Sequence, residues 1–193
     1  MTAPPNHTTL HTARGEIALR TALPSDAAAL RDLRLEALAS FPEAFSSDYE
    51  TSSLETENDW AARLERHVDS DENVIYLAEA GEELVGMTGL FRNMRVKVRH
   101  AGMIWGVYVR PAWRGLRVSE ALINACLGWA RDHRLVIVRL AVILPNAPAF
   151  RCYRACGFEV YGLEPKSIYW KDHYYDELLM ACNLESNNEE IQS

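Results

Sequence analysis

The chain lacks the features of a membrane, zinc-binding or nucleic-acid-binding protein. Its 193 residues contain no apolar run of bilayer-spanning length, and the start, MTAPPNHTTLHTARGE, has no apolar signal-peptide core. The four cysteines form no C-x-x-C and no paired Cys/His spacing, so a metal site is not expected. The net charge of −7 disfavours binding to a phosphate backbone. These absences predict a cytoplasmic protein with no metal, no nucleic acid and no membrane partner.

What the chain does contain is an ordinary globular composition, with 48% apolar residues. Its length allows one full core, and no repeat or linker divides it. We therefore expect a single domain over residues 15–185, with flexible termini at 1–14 and 186–193. The cysteines are expected to be buried thiols. A redox pair formed by Cys152 and Cys156, four residues apart on a predicted helix, is the alternative.

The segment from Val107 to Phe158 carries the strongest pattern. A strand ends at VYVRPAWRG, and the next residues place apolar side chains at the i, i+3, i+4, i+7 spacing of one helix face. A buried run, VIVRLAVIL, and a second helix, PNAPAFRCYRACGF, follow. A turn rich in Arg and Gly at a helix N-terminus directs free backbone N–H groups at one point. Such a turn suits a pyrophosphate.

At these residues the chain resembles the GNAT superfamily of N-acetyltransferases. The superfamily's pattern Q/R-x-x-G-x-G/A, opening a helix after a strand, corresponds to Arg114–Ser119. Its second pattern corresponds to five residues in the same order: Asn146, Ala149, Tyr153, Gly157 and Phe158. The resemblance extends over about residues 15 to 185. It implies an α/β (α+β) fold with a mixed, mostly antiparallel sheet of six or seven strands. Helices would cover both faces, and the sheet would splay at its central parallel strands.

The resemblance implies that acetyl-CoA is the cosubstrate. Its pantetheine arm would pair with the backbone of Val107, Tyr108 and Val109 in the splayed gap. Its pyrophosphate would bind the loop made of Arg114, Gly115, Leu116, Arg117, Val118 and Ser119. Asn146 would cap its helix and touch the cofactor or an ordered water. The alternative for Arg114 is a solvated turn residue.

The loop departs from the superfamily's pattern at two positions. Arg117 stands where glycine is usual, and Ser119 replaces glycine or alanine. Glycine lets a phosphate approach the backbone closely, so Arg117 requires its Cβ to point away. Its guanidinium would then be free to return to the phosphate as a charged donor. Ser119 is small, and its hydroxyl is a second potential donor.

Direct transfer needs an oxyanion donor, an acid and a base. The backbone N–H of Val107 is the expected oxyanion donor. By the resemblance, Tyr153 is the general acid that protonates the departing thiolate, since a phenol stays protonated at neutral pH. Its alternative role is packing. The base is open among Glu50, Glu79 and His100, and His100 is preferred because it starts the strand that lines the cofactor.

The acceptor is predicted to be a small-molecule amine or a protein amine. Its binding surface is expected from FPEAFSSDYE, the two central hairpins and IYWKDHYYDE. The last of these segments is alternatively a hairpin packed on the sheet or against a second subunit, and a homodimer is possible. Trp105 would either wall the acceptor pocket or fill the core. Two further functions remain open: an acyl-CoA-binding module without turnover, and an acyltransferase that uses a longer acyl-CoA.

Overall fold

The computed structural model describes residues 8–68 and 70–185. Within them, one eight-stranded sheet is covered by helices on both faces. The strands are β1 (Thr8–Thr12), β2 (Gly15–Thr21), β3 (Asn73–Ala80), β4 (Glu83–Arg92), β5 (Ala101–Val109), β6 (Ile137–Ile143), β7 (Glu159–Trp170) and β8 (His173–Asn183). The helices are α1 (Ala27–Ser40), α2 (Tyr49–Ser53), α3 (Glu57–Glu65), α4 (Val118–Asp132) and α5 (Ala147–Ala155).

The sheet has the order β1-β2-β3-β4-β5-β6-β8-β7. All neighbours run antiparallel except β5 and β6, which are parallel. This confirms the expected mixed, mostly antiparallel architecture. The expected strand number of six or seven is corrected to eight, because β1 pairs with β2 from Thr8 to Thr12.

Strand β1 lies in the part of the chain that was expected to be a flexible terminus. Its sequence, TTLHT, has little apolar alternation, since it forms the exposed edge of the sheet. The hairpin to β2 is closed by Gly15, whose φ of 115° is available to glycine, and by the Thr12 hydroxyl, which donates to the Gly15 carbonyl. The expectations for 1–7 and 186–193 lie outside the described residues.

Two apolar layers hold the helices on the sheet. On one face, α4 buries four residues of the stripe expected from its spacing, Val118, Leu122, Cys126 and Ala130. Ile123 and Leu127 are buried as well, whereas three other residues of the expected stripe are only partly buried: Ala121, Ala125 and Trp129. On the other face, α1 and α3 pack Leu30, Leu33, Ala37, Trp60 and Leu64 against β3 and β4. Helix α3 begins with a reciprocal capping box between Thr56 and Asp59. The central strands are thus covered from both sides.

The sheet opens between β5 and β6. The two strands are paired only over three positions, from Ala101 with Ile137 to Met103 with Arg139, although both continue beyond. A bulge contributes to this divergence, because β5 has one extra residue opposite β4 between Trp105 and Tyr108. Gly106 lies there with a φ of 65°. The expected splay is confirmed.

Within the described ranges, no helix is long and apolar enough to cross a bilayer.

Candidate active site

A cavity of about 880 Å³ fills the opening between β5 and β6. Its walls are the second half of β5, the loop before α4, the first turn of α4, the end of β6 and the start of α5. It brings together the residues expected to bind the cofactor, except Leu116: Val107, Tyr108, Val109, Arg114, Gly115, Arg117, Val118, Ser119, Asn146 and Tyr153. Leu116 packs against the α4 core instead. Two motifs that are distant in the sequence therefore meet in one site.

The N-terminus of α4 presents free donors to this cavity. The first backbone bond of the helix joins the Ala121 N–H to the Arg117 carbonyl. The N–H groups of Val118, Ser119 and Glu120 precede it and have no acceptor within the helix. The adjacent Gly115 has a φ of 77°, and nothing lies within 4 Å of where a Cβ would stand. This open, donor-rich turn suits an anion.

Arg117 keeps the backbone shape that glycine usually provides here. It adopts a left-handed conformation, with φ 63° and ψ 18°. Its guanidinium is 77% exposed and donates to Glu120 Oε2 at 2.7 Å, which raises the pKa of Arg117. The backbone at Arg117 is thus in the left-handed region that glycine adopts readily, and its side chain points to Glu120.

Arg114 is fixed between elements and is not a freely solvated turn residue. Its Nε donates to the Val109 carbonyl at 2.9 Å. Its guanidinium carbon lies 4.5 Å from the ring centre of Phe41, at the end of α1. These contacts tie the phosphate-facing loop to the end of β5 and to α1.

Tyr153 lies on α5 with its ring buried between the helix and the core, tilted against Phe158. It lines the cavity, and its hydroxyl has no hydrogen-bond partner within residues 8–68 and 70–185. Burial, together with the neighbouring Cys152 and Cys156 thiols, raises the pKa of Tyr153 well above its ordinary value. The phenol therefore stays protonated across the physiological range and can donate a proton.

Asn146 caps α5, as expected. Its Oδ1 accepts the Ala149 N–H at 3.2 Å. The residue also lines the cavity, so the cap and a contact to a bound molecule are compatible.

The side chain of Tyr108, on β5, contributes to a hydrogen-bond network with α1. The Tyr108 hydroxyl donates to Glu36 Oε1 at 2.9 Å, and Arg110 Nε donates to Glu36 Oε2 at 2.9 Å. Burial and the Glu36 carboxylate raise the pKa of Tyr108 to about 12. This network locks the end of β5 against α1.

The three candidate bases occupy three different places. His100 is exposed at the start of β5, where its carbonyl accepts the Val136 N–H, so it lies at the closed end of the β5–β6 pair. Glu79 is held by Arg20 Nε at 2.7 Å on β3. Neither lines the cavity. Glu50 borders a second, neighbouring cavity.

This second cavity has a volume of about 360 Å³. It is formed by the end of α1, the segment 42–50 and Ser167–Trp170 of β7. These are parts of the two segments, FPEAFSSDYE and IYWKDHYYDE, that were expected to bind the acceptor. Phe45 lines both cavities, so the two spaces adjoin at this ring.

Trp105 fills the core, one of the two roles left open by the sequence, and does not line the smaller cavity. Its indole packs against the core between α1 and the sheet, and it lines the large cavity.

The cysteines are free thiols throughout the described part of the chain. Cys152 faces the large cavity, whereas Cys126, Cys156 and Cys182 are buried. No group of three or more His, Cys, Asp or Glu residues with the geometry of a metal site occurs in residues 8–68 and 70–185.

Sequence reasoning missed Arg34, a buried arginine on α1. Its guanidinium carbon lies 4.6 Å from the ring centre of Phe45. An arginine beside the apolar stripe Leu30, Leu33 and Ala37 was the available signal, since helix faces that pack on a sheet rarely carry charge.

The splayed parallel pair, with the free N–H groups of the α4 N-terminus at the cavity between its strands, is an α/β arrangement suited to an extended anionic ligand, and the sequence comparisons identify the family. Residues 31–158 match the model of the acetyltransferase (GNAT) family. The chain belongs to this family. It is 30% identical over 152 residues to the aminoglycoside N(6')-acetyltransferase type 1 of Stenotrophomonas maltophilia, covering 73% of this chain and 85% of the relative.

Solved structures share the fold. The GNAT-family acetyltransferase of Streptococcus pneumoniae aligns with a TM-score of 0.79 at 23% identity, over 88% of this chain and 99% of the other. YncA from Salmonella typhimurium, solved with its cofactor acetyl-CoA, aligns with a TM-score of 0.77 at 18% identity, over 92% of this chain and 99% of the other. At these identities the likeness establishes the fold.

Proposed function

We propose that this protein is an N-acetyltransferase that moves the acetyl group of acetyl-CoA directly to a primary amine. The observation that carries this proposal is the cavity between β5 and β6, which holds Tyr153 at one wall and the free N–H groups of α4 at its mouth. An acyl-CoA molecule lying in the splay would thus have a proton donor near its thioester and an anion site near its pyrophosphate. The named N-acetyltransferase relative supports the same activity.

The backbone of β5 is the proposed track for the pantetheine arm. Beyond Met103, no strand among residues 8–68 and 70–185 pairs with β5 on the side that faces β6, while β4 still pairs with the other side up to Val109. Apart from the Val109 carbonyl, which accepts from Arg114 Nε, the N–H and C=O groups on this side can therefore bond an extended amide-containing chain as a further strand would. The pyrophosphate would then reach the N–H groups of Val118, Ser119 and Glu120.

The proposed reaction uses the amine as nucleophile, the Val107 N–H as oxyanion donor and Tyr153 as acid, in that order. The neutral amine attacks the thioester carbon, so a C–N bond forms and the carbonyl oxygen becomes an oxyanion. The Val107 N–H is the proposed donor to that oxyanion, and one such donor is typically worth about 3 kcal/mol in the transition state. When the C–S bond breaks, the departing thiolate takes the proton of the Tyr153 hydroxyl. Tyr153 is then reprotonated through solvent by the proton that the amine has lost.

His100 is not retained as the base in this proposal, because it lies at the closed end of the strand pair. Water in the adjoining acceptor cavity, next to Glu50, is the proposed route for the amine proton. Aromatic and acidic residues line that cavity: Phe45, Asp48, Tyr49, Glu50, Tyr169 and Trp170. They would accept an amine, either free or on a protein. The homodimer and the cytoplasmic location remain predictions.

The test is release of free CoA from acetyl-CoA across a panel of amines. Wild type should release thiol with at least one amine. Tyr153→Phe should lower kcat by about 10²-fold or more with little change in acetyl-CoA affinity, since it removes only the proton donor. The matched control is Tyr161→Phe, which changes an exposed tyrosine on β7 and should behave as wild type.

The alternatives give different results in the same assay. A binding module would bind CoA but release no thiol with any amine. An enzyme for longer acyl groups would prefer a longer acyl-CoA in direct competition. Unchanged turnover in Tyr153→Phe would remove this residue as the acid.

A further inference from the structure

Arg34 is a buried charge with no hydrogen-bonded or ionic partner in the described part of the chain. The residue is 7% exposed, and its Nη1 is fully buried without a hydrogen-bond acceptor. An arginine carries five N–H donors, and buried arginines normally use them. Within residues 8–68 and 70–185 the guanidinium forms no ion pair either. A cation held in this way is costly unless something else satisfies it.

The neighbouring charges do not supply that partner. Burial, and to a smaller extent repulsion by Arg63, lowers the pKa of Arg34 to about 10. Attraction to Glu55 acts in the opposite direction but is weaker. Arg34 is therefore still charged at neutral pH. The Glu55 carboxylate is bound by Arg63, so it is already engaged.

The position of Arg34 points to the acceptor. Its Nη1 lies 3.6 Å from the point where a Cβ on Gly106 would stand, at the bulge of β5. The ring of Phe45 also lies beside it, 4.6 Å from the guanidinium carbon. Gly106 lines the large cavity, and Phe45 lines both cavities. The guanidinium thus lies directly behind the wall at which the two cavities meet.

We propose that Arg34 binds the carboxylate of the acceptor, and that the acceptor is an α-amino acid. The inference rests on the proposed acetyl transfer and specifies its substrate class. A carboxylate matches the two parallel N–H groups of a guanidinium and would supply the acceptor that Nη1 lacks within residues 8–68 and 70–185.

The proximity of Arg34 to the proposed oxyanion donor favours an α-amino acid. Gly106, beside Arg34, directly precedes Val107, whose N–H is the proposed oxyanion donor, and consecutive Cα atoms lie about 3.8 Å apart. The carboxylate bound to Arg34 and the nitrogen that attacks the thioester must therefore be close. In an α-amino acid they are attached to the same carbon.

Phe45 controls access to Arg34. It is half-buried in the segment after α1 and covers the guanidinium by a cation–π contact. A carboxylate would displace this ring and would replace a weak attraction with charged hydrogen bonds. The competing explanation is that the stack of Arg34 on Phe45 only supports the fold.

The experiment compares wild type, Arg34→Met and Arg31→Met on pairs of L-amino acids and their amides. Arg31 is the matched control on the same helix, because its guanidinium is satisfied by the carbonyls of Ser53 and Glu55. We expect wild type to prefer amino acids over amides by about tenfold or more in kcat/KM. Arg34→Met should abolish that preference mainly by loss of activity on the acids, and Arg31→Met should keep it.

Thermal unfolding separates a ligand-binding role from a structural one. Removal of an unpaired buried charge should leave the melting temperature of Arg34→Met equal to or above that of wild type. Arg31→Met should melt lower. A lower melting temperature of Arg34→Met with an unchanged preference would overturn the proposal.

Failure of the inference can be told from failure of the proposed activity. Equal turnover of acids and amides by wild type would overturn the role of Arg34 while acetyl transfer stands. If no amine is acetylated, amino-acid binding is read as a shift in melting temperature with CoA present. A shift with the acids, absent with the amides and in Arg34→Met, would support the role of Arg34. Equal shifts would overturn it.

Discussion

The indole of Trp105 occupies the space where a side chain on Gly89 would lie. The two residues are paired directly across β4 and β5, and a Cβ on Gly89 would stand 2.4 Å from Trp105 Cε2. Since Trp105 also lines the cavity, this contact couples the core to the candidate active site.

Gly89→Ala should destabilise the protein and weaken acetyl-CoA binding. The methyl group has no room, so Trp105 must shift, and overpacking of this kind costs about 1–3 kcal/mol. Urea unfolding and titration with acetyl-CoA measure the two effects. The control is Gly128→Ala on α4, where nothing lies within 4 Å of the new Cβ. That variant should gain up to about 1 kcal/mol from helix propensity, and destabilisation of both variants alike would contradict the steric account.

Arg117→Gly should raise the melting temperature by about 2 °C and keep or tighten acetyl-CoA binding. Glycine relieves the left-handed conformation of Arg117, and the exposed pair with Glu120 contributes little. Arg134→Gly, at the other end of α4 with φ 58°, should gain similar stability without any change in binding. A marked loss of acetyl-CoA affinity in Arg117→Gly alone would show that the guanidinium contacts the cofactor.

The ion pair of Arg20 and Asp26 should make stability dependent on pH in the acid range. Arg20 donates to both Asp26 oxygens at 2.7 and 2.8 Å, and both side chains are largely buried. Burial alone would raise the pKa of Asp26, but the bonds from Arg20 and the Leu23 N–H lower it below its usual value. Asp26→Asn should therefore cost about 2 kcal/mol at pH 7.

That cost should be constant above about pH 4 and should disappear as the pH falls through the lowered pKa of Asp26, because the folded state then also binds the proton. The control is Asp32→Asn, an exposed carboxylate 3.5 Å from Arg31, whose loss should change the free energy of unfolding by less than about 0.5 kcal/mol. A difference between wild type and Asp26→Asn that does not vary with pH would refute the role of the pair.

Much of the candidate site was predictable, because its main motifs are each formed by residues adjacent in the sequence. The loop Arg114–Ser119 and the cap at Asn146 each depend on a few adjacent residues, and the order of elements then brings them together. The spacing in α4 likewise predicts part of its buried face, Val118, Leu122, Cys126 and Ala130, but misses Ile123 and Leu127.

The remaining features depend on distant contacts. The position of Arg34 beside the cavity wall depends on the bulge at Gly106, which is set by pairing with β4. His100 was preferred because it starts β5, but the sheet opens at the other end of that strand. Strand β1 has no apolar alternation, because an exposed edge does not require it.

The most direct test of the account is calorimetric titration of wild type and Ser119→Asp with acetyl-CoA and with CoA. Ser119 is in the first turn of α4, where an acidic side chain favours the helix but repels a pyrophosphate. We expect micromolar binding by wild type, and loss of affinity by about tenfold or more in Ser119→Asp without a fall in melting temperature. Equal binding by both proteins would contradict the proposed pyrophosphate position, and no binding by wild type would contradict the proposed activity.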